Sequence, residues 1–268
     1  MAEGIRLNKA LADAGVCSRR RADELVFAGR VRINGTPAES PGQRVLPGDT
    51  VSLDGRVIRL KEESAVPCWL MLNKPVRIVS TASDPEGRET VIDLVPEPWR
   101  QRRLFPVGRL DFFSEGLILL TDDGELAHRL THPRWHLSKV YHVLVRPERG
   151  EASVSAALSL MRRGMILSEG DRLAPVDVRV LPSSSSRGLL LEMVLHQGLN
   201  RQIRRMCRDV EFTVLRLKRV KEGPLELGSL PPGRVRELSA EEVSALRRAV
   251  GLESATTCSD ARKREKRA

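Results

Sequence analysis

Aromatic residues are scarce in this chain of 268 residues: one tyrosine, three tryptophans and five phenylalanines, 3% in all. That scarcity argues against a protein that grips single strands on broad stacking platforms. Cysteine is sparse as well. Cys17, Cys68, Cys207 and Cys258 lie far apart without a Cys-x-x-Cys pair, which excludes a zinc ribbon or a disulfide frame and fits reduced thiols in a cytosolic protein. No apolar run approaches the roughly 20 residues of a membrane span, and Met1-Ala2-Glu3-Gly4 opens no signal-peptide core. Acids are outnumbered, with 35 Asp and Glu against 45 Lys and Arg, a net charge of +10. The expected partner is therefore a polyanion, nucleic acid ahead of an anionic membrane. The length allows one large domain and one small one.

What is present begins with Val107-Gly108-Arg109-Leu110-Asp111, which runs through Phe112-Phe113-Ser114-Glu115-Gly116 into the apolar stretch Leu117-Ile118-Leu119-Leu120. In an extended segment Arg109 and Asp111 share a face and Leu110 takes the other. A carboxylate beside a guanidinium at the edge of a buried strand can act as a base or a nucleophile, so Asp111 marks a candidate active site.

The first sixty residues read as a separate unit. Leu7, Ala10, Leu11 and Ala14 have helical spacing and Gly15 supplies a stop. Ser18 is positioned to cap a second helix whose apolar face is Ala22, Leu25 and Val26, ending at Gly29. Asn34-Gly35 and Asp54-Gly55 predict two hairpins. Arg19, Arg20 and Arg21 fall in the first turn of the second helix, where cations oppose the helix dipole at roughly 0.3–1 kcal/mol each. Phosphate binding accounts for them better than stability does.

Further along, Trp69-Leu70-Met71-Leu72-Asn73-Lys74-Pro75 reads as a buried strand with a proline stop, after a polar linker through Pro67. Lys139, Tyr141 and Val143 share one face of a predicted strand, and Tyr141 is the only tyrosine. Asn200 to Arg208 predicts a short helix capped by Asn200, with Arg201, Arg204, Arg205 and Arg208 on one face and Ile203, Met206 and Cys207 on the other. That basic stripe, of one sign, is suited to a phosphate backbone. His128, His132 and His136 are spaced by four, but Pro133 breaks the helix that would align them and no acid or thiol completes a shell, so no metal is expected. Pro182 to Gly188 predicts a flexible serine loop, and the basic end at Ala261–Ala268 a disordered tail.

These strings carry a resemblance. GRLDFFSEGLILLTDDGEL closely resembles the catalytic-aspartate motif of the pseudouridine synthases, in the branch that modifies ribosomal RNA (Rsu/Rlu type). Lys139-Val140-Tyr141 and GLNRQIRRM resemble that family's second and third motifs, and residues 5 to about 60 resemble an S4-type RNA-binding domain. The resemblance implies Asp111 as nucleophile and Tyr141 as the ring that stacks on the target base and takes part in proton removal. It also implies Arg204 as the partner of Asp111, Arg109 filling the space of the extruded nucleotide and Leu217 lining the pocket. Arg77 stands where the family usually has glycine, and Phe112 and Phe113 where a polar residue is common; the pair reads as core or base-facing packing.

The expected architecture is α+β: an S4-like domain over residues 1–62, a synthase domain over 68–252 on a mixed, mainly antiparallel sheet with flanking helices, and a basic tail over 253–268. The expected protein is a cytoplasmic monomer without cofactor that acts on ribosomal RNA or a ribosomal subunit precursor. DPEGRETV and QGLNRQIRRMC resemble large-subunit enzymes more than the small-subunit one. A noncatalytic RNA-binding or ribosome-assembly protein would explain the charge but not the Arg109, Asp111, Tyr141 and Arg204 set. A glycoside hydrolase would need a second carboxylate, and none presents itself.

Overall fold

Leu7, Ala10 and Leu11 bury one face of α1 (Leu7–Asp13), which follows β1 (Ile5–Arg6). The computed structural model describes residues 4–60, 66–150, 153–182 and 188–252. Its chain divides into two units, Met1–Pro67 and Cys68–Ala268. In the first, α2 (Arg19–Phe27) starts where the Ser18 Oγ accepts the Arg21 amide at 3.2 Å, and it buries Ala22, Leu25 and Val26. The strands are β2 (Val31–Ile33), β3 (Thr36–Pro37), β4 (Arg44–Val45), β5 (Val51–Leu53) and β6 (Arg56–Ile58). Four of them form a sheet in the order β3-β2-β5-β6, while β1 pairs β4. Asn34-Gly35 and Asp54-Gly55 all take positive φ, the twist that a two-residue hairpin requires.

The second unit opens with β7 (Trp69–Lys74), all six residues buried, then β8 (Phe105–Val107), β9 (Glu115–Thr121), α3 (Gly124–Thr131) and β10 (Lys139–Pro147). It continues through α4 (Val154–Arg163), β11 (Asp177–Leu181), β12 (Leu189–Leu195), α5 (Gln202–Asp209), β13 (Phe212–Glu222), β14 (Leu225–Glu226), β15 (Val235–Glu237) and α6 (Ala240–Ala249). One sheet runs β11-β12-β10-β13-β9-β7-β15, with β14 on β13 and β8 on β9. Every pairing in it is antiparallel except β13 with β9. The α+β class and the mixed sheet agree with the sequence.

Burial explains the layers. Met161 of α4 and Met206 of α5 pack with Leu191, Met193 and Val143 on one half of the sheet. Leu126 of α3 and Leu246 of α6 cover Met71 and Leu119 on the other half. Leu70, Leu72, Ile118 and Leu120 point to the opposite face, against Val91, Val95 and Leu110. Because β7 and β9 are covered on both sides, the runs Trp69–Leu72 and Leu117–Leu120 within them are continuously apolar. No described helix is long and apolar enough to cross a membrane. The linker residues 61–65, most of the serine loop and the tail lie outside the described residues.

Candidate active site

Between β8 and β9 the chain turns sharply, and this turn carries Asp111. Arg109 is exposed, Leu110 is buried and Asp111 is half-buried, the alternation expected of an extended approach. From Leu110 to Ser114 every carbonyl oxygen accepts a hydrogen bond. The Ser80 hydroxyl donates to Leu110 O at 2.8 Å, and the Arg77 amide donates to Phe112 O at 2.6 Å. Arg204 Nη2 donates to Phe113 O at 2.6 Å. Lys74 Nζ, wholly buried at the end of β7, donates to Asp111 O at 3.2 Å and Ser114 O at 2.8 Å, and also to Pro75 O at 3.0 Å. With its carbonyls held on every side, the turn fixes the backbone from which the Asp111 carboxylate projects.

Arg77 stands in the left-handed region at φ +66°. The turn therefore keeps a glycine-like backbone with arginine in that position, and the amide of Arg77 is spent on the Asp111 turn. Phe112 and Phe113 meet edge to face at 5.0 Å, and Phe113 stays 56% exposed, so it is not core.

The charge facing Asp111 differs from the expected one. Arg201 Nη1 lies 4.0 Å from Asp111 Oδ2, whereas the Arg204 guanidinium is taken by the turn's carbonyl. The cause is the start of α5. Asn200 does not cap it; Arg201 stands at the N-cap in a left-handed conformation at φ +49° without a side-chain cap, outside the regular helix. Arg204, one turn on, still faces Asp111 at longer range. Burial lowers the Arg204 pKa, the Arg201 charge adds to that, and Asp111 opposes both. Among the described residues the buried Arg204 Nε has no hydrogen-bond partner.

The remaining arginines of α5 are not a face of one sign. Arg205 pairs with Glu169 and Asp171, and Arg208 with Glu169 at 2.6 Å and Asp209 at 2.7 Å. The acids Glu169 and Asp171 come from a turn after α4, distant in sequence, so helical spacing alone cannot show them. Ile203, Met206 and Cys207 are buried as expected, and burial pushes the Cys207 thiol up to about 12.

Tyr141 is partly buried in β10, opposite Arg219 of β13, and Leu217 is buried opposite Val143. Burial raises the Tyr141 pKa, so the phenol keeps its proton at neutral pH. Sequence reasoning missed Lys74, Arg219 and Glu222 as parts of this region. The signal for Lys74 was a lysine just past the apolar run Trp69-Leu70-Met71-Leu72, before the stop at Pro75; nothing in Leu217-Lys218-Arg219-Val220 marked Arg219 as buried. In the first unit Arg19 and Arg20 are exposed on α2, and Arg21, also exposed, pairs with Glu24 at 2.5 Å.

Lys74 gives the site a pH dependence. Burial lowers its pKa from 10.5 to about 8, although Asp111 and Glu115 pull it upward. Above about pH 8 the folded protein loses this proton while the unfolded chain holds it to about 10.5, so Lys74's contribution to stability rises with pH across that window. Its contribution to the turn does the reverse, because a neutral amine has fewer protons to donate to three carbonyls. The expected rate profile falls as pH rises through about 8, and a Lys74→Met variant lacks that limb at a lower plateau. An unchanged limb in the variant would detach it from Lys74.

Comparison with known proteins places the chain in a family. An RNA pseudouridylate synthase family model matches residues 69–209 and an S4 domain model residues 5–51. An uncharacterized RNA pseudouridine synthase of Aquifex aeolicus is 38% identical, over 92% of this chain and 96% of its own. The ribosomal large subunit pseudouridine synthase B of Bacillus subtilis is 36% identical, over 90% and 95%. A crystal structure of a pseudouridylate synthase superimposes with a TM-score of 0.62 at 28% identity, over 90% of this chain and 99% of that one. The chain belongs to the RNA pseudouridylate synthase family, with an S4 domain at its N-terminus.

Proposed function

We propose that this protein isomerises one uridine of large-subunit ribosomal RNA to pseudouridine, in the cytoplasm, with Asp111 as the nucleophile. The observation that carries the reading is the Asp111 turn. A carboxylate stands beside Arg201 on a backbone whose every neighbouring carbonyl is already satisfied. The target follows the Bacillus subtilis relative, whose similarity spans both chains almost end to end.

The reaction breaks the bond between ribose C1′ and uracil N1, turns the base and joins C1′ to C5, whose proton leaves for N1 or solvent. No atom is gained overall, so the chemistry asks for a nucleophile and a cavity that retains the free base. A stacked uridine is out of reach and must leave the helix. Exposed Arg109, two residues before Asp111, fills the vacated space. Tyr141 and Leu217 line the pocket, and Arg201 and Arg204 hold charge around the nucleophile. Arg205 and Arg208, each already paired with acids, contact the RNA backbone more weakly than those two.

The test is pseudouridine mapping across ribosomal RNA from cells that lack the gene. One site lost, and restored by the wild-type gene, is the expected result; an unchanged map sinks the ribosomal target. For the first unit, replacing Arg19, Arg20 and Arg21 by glutamate should weaken RNA binding. It should also flatten the slope of log K against log salt by about 1 for each phosphate that is no longer neutralised. Equal affinity and slope would remove α2 from the RNA-binding surface.

A further inference from the structure

The tip of a β-turn favours glycine, proline, asparagine, aspartate or serine. The turn that carries Asp111 has two phenylalanines there. It runs Asp111–Ser114, closed by the Ser114 amide donating to Asp111 O at 2.9 Å, with Phe112 and Phe113 in the middle. Phe112 is half-buried, and its ring meets that of Phe113 edge to face. Phe113 is not taken into the core: it is 56% exposed, in a chain where aromatics make up only 3%. Neither turn chemistry nor packing accounts for an aromatic ring at this position.

The ring is nevertheless held. The Phe113 carbonyl accepts Arg204 Nη2 at 2.6 Å and the Phe112 carbonyl accepts the Arg77 amide at 2.6 Å, so the backbone beneath it is fixed before anything binds. A phenylalanine has two side-chain torsions, and with Phe112 against it the ring has little freedom to lose on binding. Cations border it. Arg109 is exposed four residues earlier, and Arg201, half exposed, stands 4.0 Å from Asp111. A flat apolar surface edged by guanidiniums suits a ligand with a flat π face and an anionic backbone, which is a nucleotide. Phe113 is two residues from Asp111, and a protein seated on it would cover the nucleophile. The occupant is therefore the RNA itself.

We propose that Phe113 is the stacking platform for a base that flanks the target uridine, and so helps to select where the protein acts. This rests on the reading of Asp111 as the uridine site. Extruding the uridine strips a stacking partner from each of its two neighbours. Arg109 covers one of them in the vacated space, and the Phe113 ring covers the other. The scarcity of aromatics excludes a broad platform of several rings, and this contact needs one.

The experiment takes the full chain as wild type, Phe113→Ala, Phe113→Leu and Phe113→Tyr, with a ribosomal RNA fragment that carries the mapped uridine. Single-turnover pseudouridine formation over a range of protein concentrations separates affinity from the rate at saturation. Phe113→Ala should weaken affinity by about 10-fold, the loss falling on affinity more than on the saturating rate. Phe113→Leu keeps apolar area without a π face and should resemble Phe113→Ala, whereas Phe113→Tyr should bind like wild type. Fragments with an abasic residue immediately 5′ or immediately 3′ of the uridine identify the stacked base. On one of them the wild type should lose about 10-fold in affinity and Phe113→Ala little more, because the contact is already gone. Equal affinities for wild type and Phe113→Ala, or the same loss in Phe113→Ala on all three fragments, would overturn the proposal. So would wild-type affinity in Phe113→Leu, since apolar contact alone would then suffice. If the wild type itself forms no pseudouridine in the intact fragment, the uridine-site reading fails, and this inference with it.

Discussion

Asp111→Asn leaves the fold and RNA affinity intact and removes pseudouridine formation, a loss on the order of 10⁴-fold or more in single-turnover rate. The two side chains have the same shape. The hydrogen bonds that hold the turn run to backbone oxygens, from Lys74, Ser80, Arg77 and Arg204, and none requires the carboxylate. What changes is charge: an amide is no nucleophile, and Arg201, 4.0 Å away, is left without its counter-charge. Arg201 is half exposed, so that pair adds little to stability, about 1 kcal/mol at most. Turnover and binding should be measured on the same RNA fragment. Residual turnover near wild type would remove Asp111 as the nucleophile, and a matching loss of binding would recast it as a binding residue.

Gly116→Ala should have the largest effect on stability. Gly116 sits at φ +104°, where an L side chain is strained, and an added Cβ would overlap the Arg219 carbonyl oxygen and stand 2.7 Å from its amide nitrogen. These are backbone atoms and cannot swing aside. The close approach is the parallel pairing of β9 with β13, which joins the β11-β12-β10-β13 half of the sheet to β9, β7 and β15. Strain and overlap together cost on the order of 3 kcal/mol or more, a fall in Tm of about 10 °C for a unit of this size. Gly124→Ala is the control: it opens α3 with nothing within 4 Å of the added methyl. It should be neutral or slightly stabilising. Equal melting temperatures for the two variants would show that the β9/β13 joint tolerates a side chain.

Some of this molecule was legible in its sequence because the signals are local. The face of α1, the Ser18 cap of α2 and the two hairpin turns depend on residues within a few positions of one another. So does the buried run of β9 after Asp111, and so does the alternation that exposes Arg109 and buries Leu110. The family motifs belong to the same class, being ordered strings.

Pairing across distance was not legible. Helical spacing put Arg204 on the face of α5, yet the left-handed Arg201, just outside the helix, is the arginine nearest Asp111. The same spacing made Arg205 and Arg208 look unpaired; a turn some 35 residues earlier brings Glu169 and Asp171 to them. Lys74 looked like the end of an apolar strand, and only the approach of the 111–114 turn gives its ammonium three carbonyls.

Near neighbours in the chain thus specify the elements, the family motifs and the place of Asp111 at the head of β9. Tertiary structure decided which charges meet. A salt bridge or a buried hydrogen bond depends on register between elements far apart in the chain, and a single extra residue such as Val220 changes which side chains share a face.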